Sequence, residues 1–477
     1  MDVLERAAEV ESKMSGSEDV IRLDFKIAGK SAVIFYIDAM IDKMAFEIGV
    51  MKPLKGIEEI SMPYEKSFNR VVTSSMPIYV EDFEKAIEKL ASSDMMMLVE
   101  GSDDSYIISL RSFAMRVPNE PPRETVLKGP REGFVEDIKT NMTLIRRRLK
   151  TPDLAFENMT AGKYTKTPIS ICYIKGIAEE KVVEEVKSRI KEINTDGILD
   201  SSYVARYIEE RKYSIFNEVG SVEKPDVLTG KLLEGRVGVL VDGSPIVLTV
   251  PLVFLEQFQS AEDYYVKSFR ATFTRLVRIF AFFLAILLPA GYVALQEFQY
   301  QVFPLKVLAS LMNTIFGVPL PPTLEMIFVL LIFEILNEAA IRMPKHIGTS
   351  LSVVGAIVLG EAAVSAGLLS TPTILVVALS SIGMYTVPDE ADSSSILRMS
   401  FVIVSGVLGL YGLVISCVAL VAYLVSIKGF GTSYLAPFSP SLPADIKDTF
   451  IMQNELDMKK RPYTIPTNNR TRKRNNG

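Results

Sequence analysis

One stretch of this sequence, residues 273–427, is almost free of charge and constrains the fold more than any other feature. It holds only 14 charged residues in 155 positions, while the other 322 positions hold 95. Apolar runs of about 20 residues, the length that crosses a bilayer as a helix, occur only there. We therefore predict an all-α polytopic membrane domain over 271–430. It follows a soluble region and precedes a basic cytoplasmic tail, 431–477.

The soluble region contains one pattern twice. VIRLDFKIAGKSAVIFY (20–36) predicts two strands around a turn and then a helix, and TPISICYIKGIA (167–178) repeats a strand followed by a helix. LVEGSDDSYIISL (98–110) and LVDGSPIVLTV (240–250) both predict a hairpin around an acidic-Gly turn. This repetition indicates an α/β region of two related subdomains.

We assign the two subdomains to residues 1–128 and 155–270, joined by a connecting amphipathic helix within 129–154. The apolar residues of that helix recur at helical spacing. They are Phe134, Ile138, Met142 and Ile145. Arg146, Arg147 and Arg148 end the helix, and because acidic residues lie nearby we place them on a solvated or intersubunit face. Binding of anionic lipid or nucleic acid is the less favoured interpretation.

The soluble region carries no pattern of an enzyme. It lacks the G-x-x-x-x-G-K-[ST] phosphate loop, and its one cysteine, Cys172, has only Cys417 of the membrane domain as a counterpart, so no disulfide framework or zinc motif is formed. His346 is the only histidine. We therefore expect no catalytic residue, cofactor or metal. The start of the chain also lacks a secretory signal, so we expect the soluble region to be cytoplasmic.

The membrane domain presents five hydrophobic segments. Arginines before 279–295 place the start of the first span in the cytoplasm, and 323–341 returns there, with a short interfacial helix expected in the loop between them. The run 399–427 is uncharged and should span. Because both ends of the domain are expected inside, the number of crossings should be even. We therefore predict about four full spans and one re-entrant segment between 349 and 388.

Three charged residues follow one another on one face of the second span. Glu334, Glu338 and Arg342 stand at i, i+4 and i+8. A charged residue at bilayer depth costs about 2.5–3.5 kcal/mol on insertion scales, so it usually faces a protein interior or a water path. This intramembrane stripe is either a self-neutralised packing surface or the wall of an aqueous vestibule, and the sequence leaves both open.

A thin helix rich in Gly, Ala and Ser follows, and one of its faces is a candidate pore face. Its members are Val354, Ile357, Val358, Glu361 and Ser365. Rings of valine or isoleucine constrict and dewet a pore, and rings of glutamate select cations. The alternative is that this face packs against neighbouring helices.

Small residues let membrane helices approach each other closely. Six of them are candidate helix-packing positions: Gly355, Gly360, Ser405, Gly409, Gly412 and Ser416.

Three long motifs occur in a fixed order along the chain. They are GPREGFVEDIKTNMTLIRRRLKTPDL, then EAAIRMPKHIGTSLSVVGAIVLGEAAVSAGLLS, and finally SYLAPFSP with DIKDTF. Together they resemble the A subunits of the GerA-type spore germinant receptors, and a stage V sporulation paralogue of that subunit shares the pattern. The likeness covers nearly the whole chain.

The resemblance implies a protein of the endospore inner membrane that forms a homo-oligomer, a pentamer, with a nutrient-gated cation channel at its centre. It also implies two partners, a transporter-like B subunit that binds the nutrient and a C subunit that is a lipoprotein, besides membrane lipid. The family's pore segment corresponds to 353–367. Glu361 departs from the expected pattern, since relatives are expected to carry Gln or another polar residue there, and this puts a selectivity role for its charge in doubt.

Two other functions stay open at this point. A secondary transporter would also use broken helices and buried acids, and a non-conducting scaffold would only recruit the nutrient-binding subunit. The nutrient, the stoichiometry and the ion selectivity are not readable from these residues.

Overall fold

The computed structural model describes residues 3–110, with gaps at 39, 59 and between 61 and 76, residue 121, and residues 123–342, 358–454 and 458–472. The N-terminal part of the chain is a mixed α/β region with two antiparallel sheets, and the C-terminal part is helical. The predicted order, an α/β region followed by an all-helical domain, is confirmed at this level.

The two sheets have the same strand order. In the first sheet the order is β1-β2-β4-β5-β3, and in the second it is β6-β7-β9-β10-β8. Gly101 and Gly243 occupy matching turns and adopt left-handed φ angles of 83° and 85°, which glycine tolerates without strain. The strands of the first sheet are β1 Val20–Ile27, β2 Lys30–Ile37, β3 Ile78–Val80, β4 Met95–Val99 and β5 Ser105–Ile108. Those of the second are β6 Leu154–Ala161, β7 Thr167–Ile174, β8 Gly220–Val222, β9 Val237–Val241 and β10 Val247–Val250.

Helices cover the faces of both sheets. Asp82, Asp137 and Asp200 begin three of them, because each aspartate side chain accepts a backbone N–H of the first turn. The helices are α1 Val3–Lys13, α2 Phe83–Ala91, α3 Ile138–Arg148, α4 Glu180–Lys191, α5 Ser201–Ile208 and α6 Pro225–Glu234, with a further helical stretch made of Lys43–Phe46, Glu47–Met51 and Lys52–Lys55.

The arginines that end α3 were expected on a solvated or intersubunit face, and this expectation is wrong for Arg146. Arg146 is 1% exposed, and its guanidinium makes a two-pronged ion pair with Asp19, at 2.9 Å from Nε to Oδ2 and 3.0 Å from Nη2 to Oδ1. Arg147 and Arg148 instead pair with Glu132. The first arginine of the run is therefore buried between the two sheets' units and is not on a solvated face.

Five longer helices are described in the C-terminal part. They are α7 Ser268–Glu297, α8 Leu305–Ile315, α9 Pro322–Arg342, α10 Thr371–Met384 and α11 Ala391–Ser426. The expected short helix between the first two spans is confirmed as α8. Among the described residues, two stretches, Ser268–Glu297 and Pro388–Ser426, are long and apolar enough to cross a membrane.

The helical part has a proximal end, next to the α/β region, and a distal end. At the proximal end Arg278 of α7 pairs with Asp263 at 2.8 Å. At the distal end Glu297 of α7 accepts a hydrogen bond from Thr323, at the start of α9. The 19 residue steps between Arg278 and Glu297 span about 28 Å at 1.5 Å per residue. This is close to the roughly 30 Å hydrocarbon core of a bilayer.

Helix α11 reverses direction at Gly409. The φ and ψ angles there are 66° and −149°, outside the helical region. Ser393 Oγ donates to the carbonyl of Ile215 at 2.7 Å, and the N–H of Ile215 donates to Tyr423 Oη at 3.3 Å. A straight helix would separate residues 393 and 423 by about 45 Å. The two arms are therefore antiparallel, and the expected single span over 399–427 is wrong.

Replacement of Gly409 by alanine should destabilise this hairpin. A left-handed backbone costs an L-residue about 1–2 kcal/mol, and the added Cβ would lie 3.0 Å from Cβ and Cγ of Phe298. We expect Gly409→Ala to lower the free energy of unfolding of the full-length protein in micelles by about 1–3 kcal/mol, followed by circular dichroism. Gly360→Ala is the control, since no atom lies within 4 Å of its Cβ position. Equal effects of the two variants would contradict the reversal.

Candidate functional site

The described part of the candidate pore face is uncovered in the single chain. A π-helical turn, Val358–Ala362, continues into Ala363–Ser365. Glu361 and Ser365 are exposed, while Ala363 packs on the core of the helical domain. A π-turn inside a helix is rare and often marks a functional site. The arrangement leaves one polar face of this helix free for a lumen or a neighbouring subunit.

The other members of the candidate pore face cannot be placed. Val354 and Ile357 lie outside the described residues, as do Gly355 and the side chain of Val358. Their assignment as gate and packing residues stays a prediction.

The candidate packing positions fall in different environments. Ser405 is fully buried, and a Cβ on Gly412 would lie 2.6 Å from the carbonyl oxygen of Val404, across the reversal at Gly409. Ser416 is half-buried, whereas the Cβ position of Gly360 is open. Close approach at the candidate positions thus occurs across the reversal of α11 at Gly412 and against Phe298 at Gly409.

The intramembrane stripe separates into two ion pairs at different depths. Glu338 pairs with Arg342 at 2.5 Å, and the two side chains are 59% and 77% exposed. Glu334, one turn nearer the distal end, pairs instead with Arg398 of α11 at 2.6 Å. Arg398 is only 3% exposed, and it also donates to Ser380 Oγ at 3.0 Å. Glu334 therefore ties α9 to α11 and α10, whereas Glu338 and Arg342 form a surface pair on α9.

Sequence reasoning missed Arg398. The sequence contains a signal for it, because Arg398 is the only lysine or arginine between Lys345 and Lys428. A lone base at bilayer depth calls for an acidic partner, and the stripe on α9 offers two candidates.

A second acid, Glu325, was also missed. It is 1% exposed near the distal end, and its carboxylate accepts the N–H of Ser370 at 2.6 Å. Ser370 is the N-cap of α10, and the positive end of a helix dipole favours a carboxylate there. This contact places the start of α10 at the distal end, beside the start of α9.

Buried ion pairs and hydrogen bonds also hold the proximal end of α7 in place. Asp263 is fully buried, and its carboxylate accepts from Arg275 at 3.3 Å and from Arg278 at 2.8 Å. Arg275 in turn donates to the carbonyl of Asp448 in the tail at 2.6 Å. The α/β region, α7 and the tail therefore meet at one buried cluster.

The loop 211–216, which we call the clasp loop, holds both arms of α11. Besides the two contacts of Ile215, Arg211 donates to Ser426 Oγ at 3.1 Å and Tyr423 Oη donates to Ser214 Oγ at 3.2 Å. Phe216 packs against Phe254 with ring centroids 5.7 Å apart. The clasp loop therefore connects the unit of the second sheet to both arms of α11.

The tail returns to the second sheet's unit after α11. Phe430 inserts into the core of that unit beneath the guanidinium of Arg189, at 4.4 Å from ring centroid to Cζ. Further along, Thr467 Oγ1 donates to the carbonyl of Ile177 at 2.6 Å. The clasp loop and the tail thus both hold the proximal end of the α11 hairpin against the unit of the second sheet.

A polar cavity of about 430 Å³ lies beside α6, the proximal end of α7 and the tail. Inside it Glu256 accepts from Lys231 and Arg236, both at 2.7 Å. Burial opposes ionisation of Glu256, yet Arg236 and Lys231 hold its pKa below the usual value. Burial raises the pKa of Glu124, on the rim, to about 7. Glu256 is thus compensated by two cations, whereas burial favours the neutral form of Glu124.

Comparison with known proteins gives a consistent result. The profile of the family described as "Bacillus/Clostridium GerA spore germination protein" matches residues 8–464. "Spore germination protein KA" of Bacillus subtilis (strain 168) is 34% identical over 474 residues, which cover 98% of this chain and 87% of that protein. "Spore germination protein B1" of the same strain is 33% identical over 445 residues, which cover 91% and 90%.

A solved crystal structure is similar over the N-terminal half of the chain. It is the N-terminal domain of the A subunit of the Bacillus megaterium spore germinant receptor GerK3. The two are 31% identical, with 52% of this chain and 94% of that chain covered at a TM-score of 0.41.

Proposed function

This chain belongs to the Bacillus/Clostridium GerA spore germination protein family, and on that premise we propose that it is the A subunit of a spore germinant receptor. In this proposal it oligomerises, as a pentamer, into a nutrient-gated cation channel in the spore inner membrane. The names of its relatives support a role in germination. The observation that carries the channel proposal is the uncovered face with Glu361 and Ser365 on a thin helix.

The proposed topology has six crossings and both ends on the cytoplasmic side. Arg342 lies at the proximal end of α9, whereas Ser370 lies at the distal end, beside Glu325. One full crossing between Arg342 and Ser370, in place of the expected re-entrant segment, is part of this proposal. With α7, α9, α10 and the two arms of α11, this makes six, an even number that agrees with the basic tail beside the soluble region.

The proposed gate repeats the candidate pore face around the oligomer axis. Rings of Val354 and Val358 would exclude water when the helices are close, and a small outward shift would rewet the passage. The Gly and Ala neighbours of these residues allow five thin helices to approach one axis. A B-type transporter-like subunit would sense the nutrient, and a C-type lipoprotein subunit would complete the receptor.

A leak assay tests the gate without its partners. We expect Val354→Ser and Val358→Ser to raise potassium efflux from proteoliposomes of the full chain roughly tenfold, because a polar ring no longer dewets the constriction. Efflux is followed with an external potassium-sensitive dye. Leu375→Ser and Leu379→Ser, on the exposed face of α10, are matched controls and should stay as tight as the unmodified chain.

The oligomer is checked in the same vesicles by chemical cross-linking. Tight vesicles for both valine variants, with the oligomer present, would reject the assigned gate and leave a non-conducting scaffold as the better proposal. Equal leaks in the valine and leucine variants would also reject it, because the leak would then reflect general damage to the membrane domain.

A further inference from the structure

Helix α8 has an apolar face that no described part of the chain covers. None of its residues is buried. Leu305 and Met312 are 84% and 59% exposed, and Phe316, directly after the helix, is 93% exposed. At 100° per residue these three side chains lie within about 40° of one another. Lys306 and Asn313 lie about 80–100° away from this stripe, on the side where Ser310 and Thr314 also lie, so α8 is amphipathic with a single charge.

The position of α8 is fixed by the helices on both sides of it. It starts eight residues after Glu297 at the end of α7, and it ends seven residues before Pro322 at the start of α9. Both of these helix ends lie at the distal end, where Phe298 packs on Gly409 and Thr323 on Gly406. Because two short connections hold the apolar stripe of α8 at the distal end, the stripe lies at the level of the bilayer surface. This level is about 28 Å from the charged residues at the proximal end of α7.

We infer that α8 lies in the plane of the distal membrane interface, with Leu305, Met312 and Phe316 among the lipid acyl chains. The inference rests on the membrane placement of α7 and α9 in the proposed function. An amphipathic helix with a broad apolar face and few charges is suited to this location. Lys306 and Asn313 face the headgroups and water, and the near absence of charge removes any dependence on anionic lipid.

Lipid quenching tests this location in the full chain. Bimane is attached at Met312→Cys in a Cys417→Ser background, and the protein is reconstituted in vesicles of phosphatidylcholine with or without brominated acyl chains. Cys172 stays unlabelled because it is fully buried, and burial raises the pKa of its thiol to about 12. Asn313→Cys, the next residue and about 100° round the helix on its polar side, is the matched control. Leu379→Cys on α10 reports insertion of the membrane domain.

We expect brominated lipid to quench bimane at positions 312 and 379 at least twofold and position 313 by much less. Quenching at 379 without quenching at 312 would overturn the interfacial location while leaving the proposed channel intact. Shielding of the label at 312 in both lipids, together with cross-linking of this position to a second copy of the chain, would likewise overturn the interfacial location and leave the proposed channel intact. Absence of quenching at both 312 and 379 would overturn the membrane placement, and with it both proposals.

Discussion

Replacement of Glu334 by methionine is expected to lower the free energy of unfolding of the full-length protein by about 3–5 kcal/mol. The variant leaves the guanidinium of Arg398, 3% exposed, without its counter-charge, and breaking a buried ion pair has a cost of this size. Arg398→Met should cost less, because Glu334 is 31% exposed and keeps a hydrogen bond from Ser395. The measurement is a denaturant titration in mixed micelles, followed by circular dichroism.

The same substitution one turn along α9 is the control. Glu338 and Arg342 are both exposed, and exposed pairs contribute about 0–1 kcal/mol, so Glu338→Met should change the unfolding free energy little. The double variant Glu334→Met/Arg398→Met should recover most of the loss, because it leaves no buried charge. Strictly additive losses, or an equal loss for Glu338→Met, would show that the pair does not connect the helices.

Features with a local signal were predictable from the sequence. The hairpins β4–β5 and β9–β10 follow from acidic-Gly turns flanked by apolar runs, and the helices α7, α8 and α9 follow from hydrophobic length and proline boundaries. The resemblance between the two halves of the α/β region was readable for the same reason. Each half repeats short strands and turns whose geometry depends on neighbouring residues.

Features that depend on distant partners were not predictable. Arg398 lies 64 residues from Glu334, and spacing on α9 alone suggested Arg342 as the partner. The reversal at Gly409 was missed because glycine is common in membrane helices, and a 29-residue apolar run fits one long span as well as two short arms. Arg146 was assigned to a solvated face because charge and amphipathicity describe the helix and not what packs against its end.

The candidate pore face shows how far a site can be predicted. Helical spacing placed Glu361 and Ser365 on one face, and both are exposed together. Whether the valines of the same face close a passage depends on how several copies of the chain come together. In the proposed oligomer that arrangement depends on contacts between chains, which no periodicity within one chain specifies.

The other large effect is expected at the buried pair between the two units of the α/β region. Arg146→Met should lower the unfolding free energy of this region by about 3–5 kcal/mol, because Asp19 is 4% exposed and would lose its only guanidinium partner among the described residues. Ser17 Oγ, which accepts from Nη2 of Arg146 at 3.3 Å, also accepts the N–H of Phe156 at 2.7 Å. The loss should therefore spread into β6.

Hydrogen exchange with mass spectrometry on the full chain measures this effect. Peptides covering residues 15–22 and 154–161 should exchange about 100-fold faster or more in Arg146→Met, as a stability loss of this size implies for sub-global opening. Arg147→Met is the matched control, because Arg147 is 43% exposed and its pair with Glu132 lies at the surface. Unchanged protection of Phe156 in Arg146→Met would mean that the segment before β1 is held to β6 by its backbone hydrogen bonds, such as Glu18 N–H to the Phe156 carbonyl at 2.9 Å, and not by the buried charges.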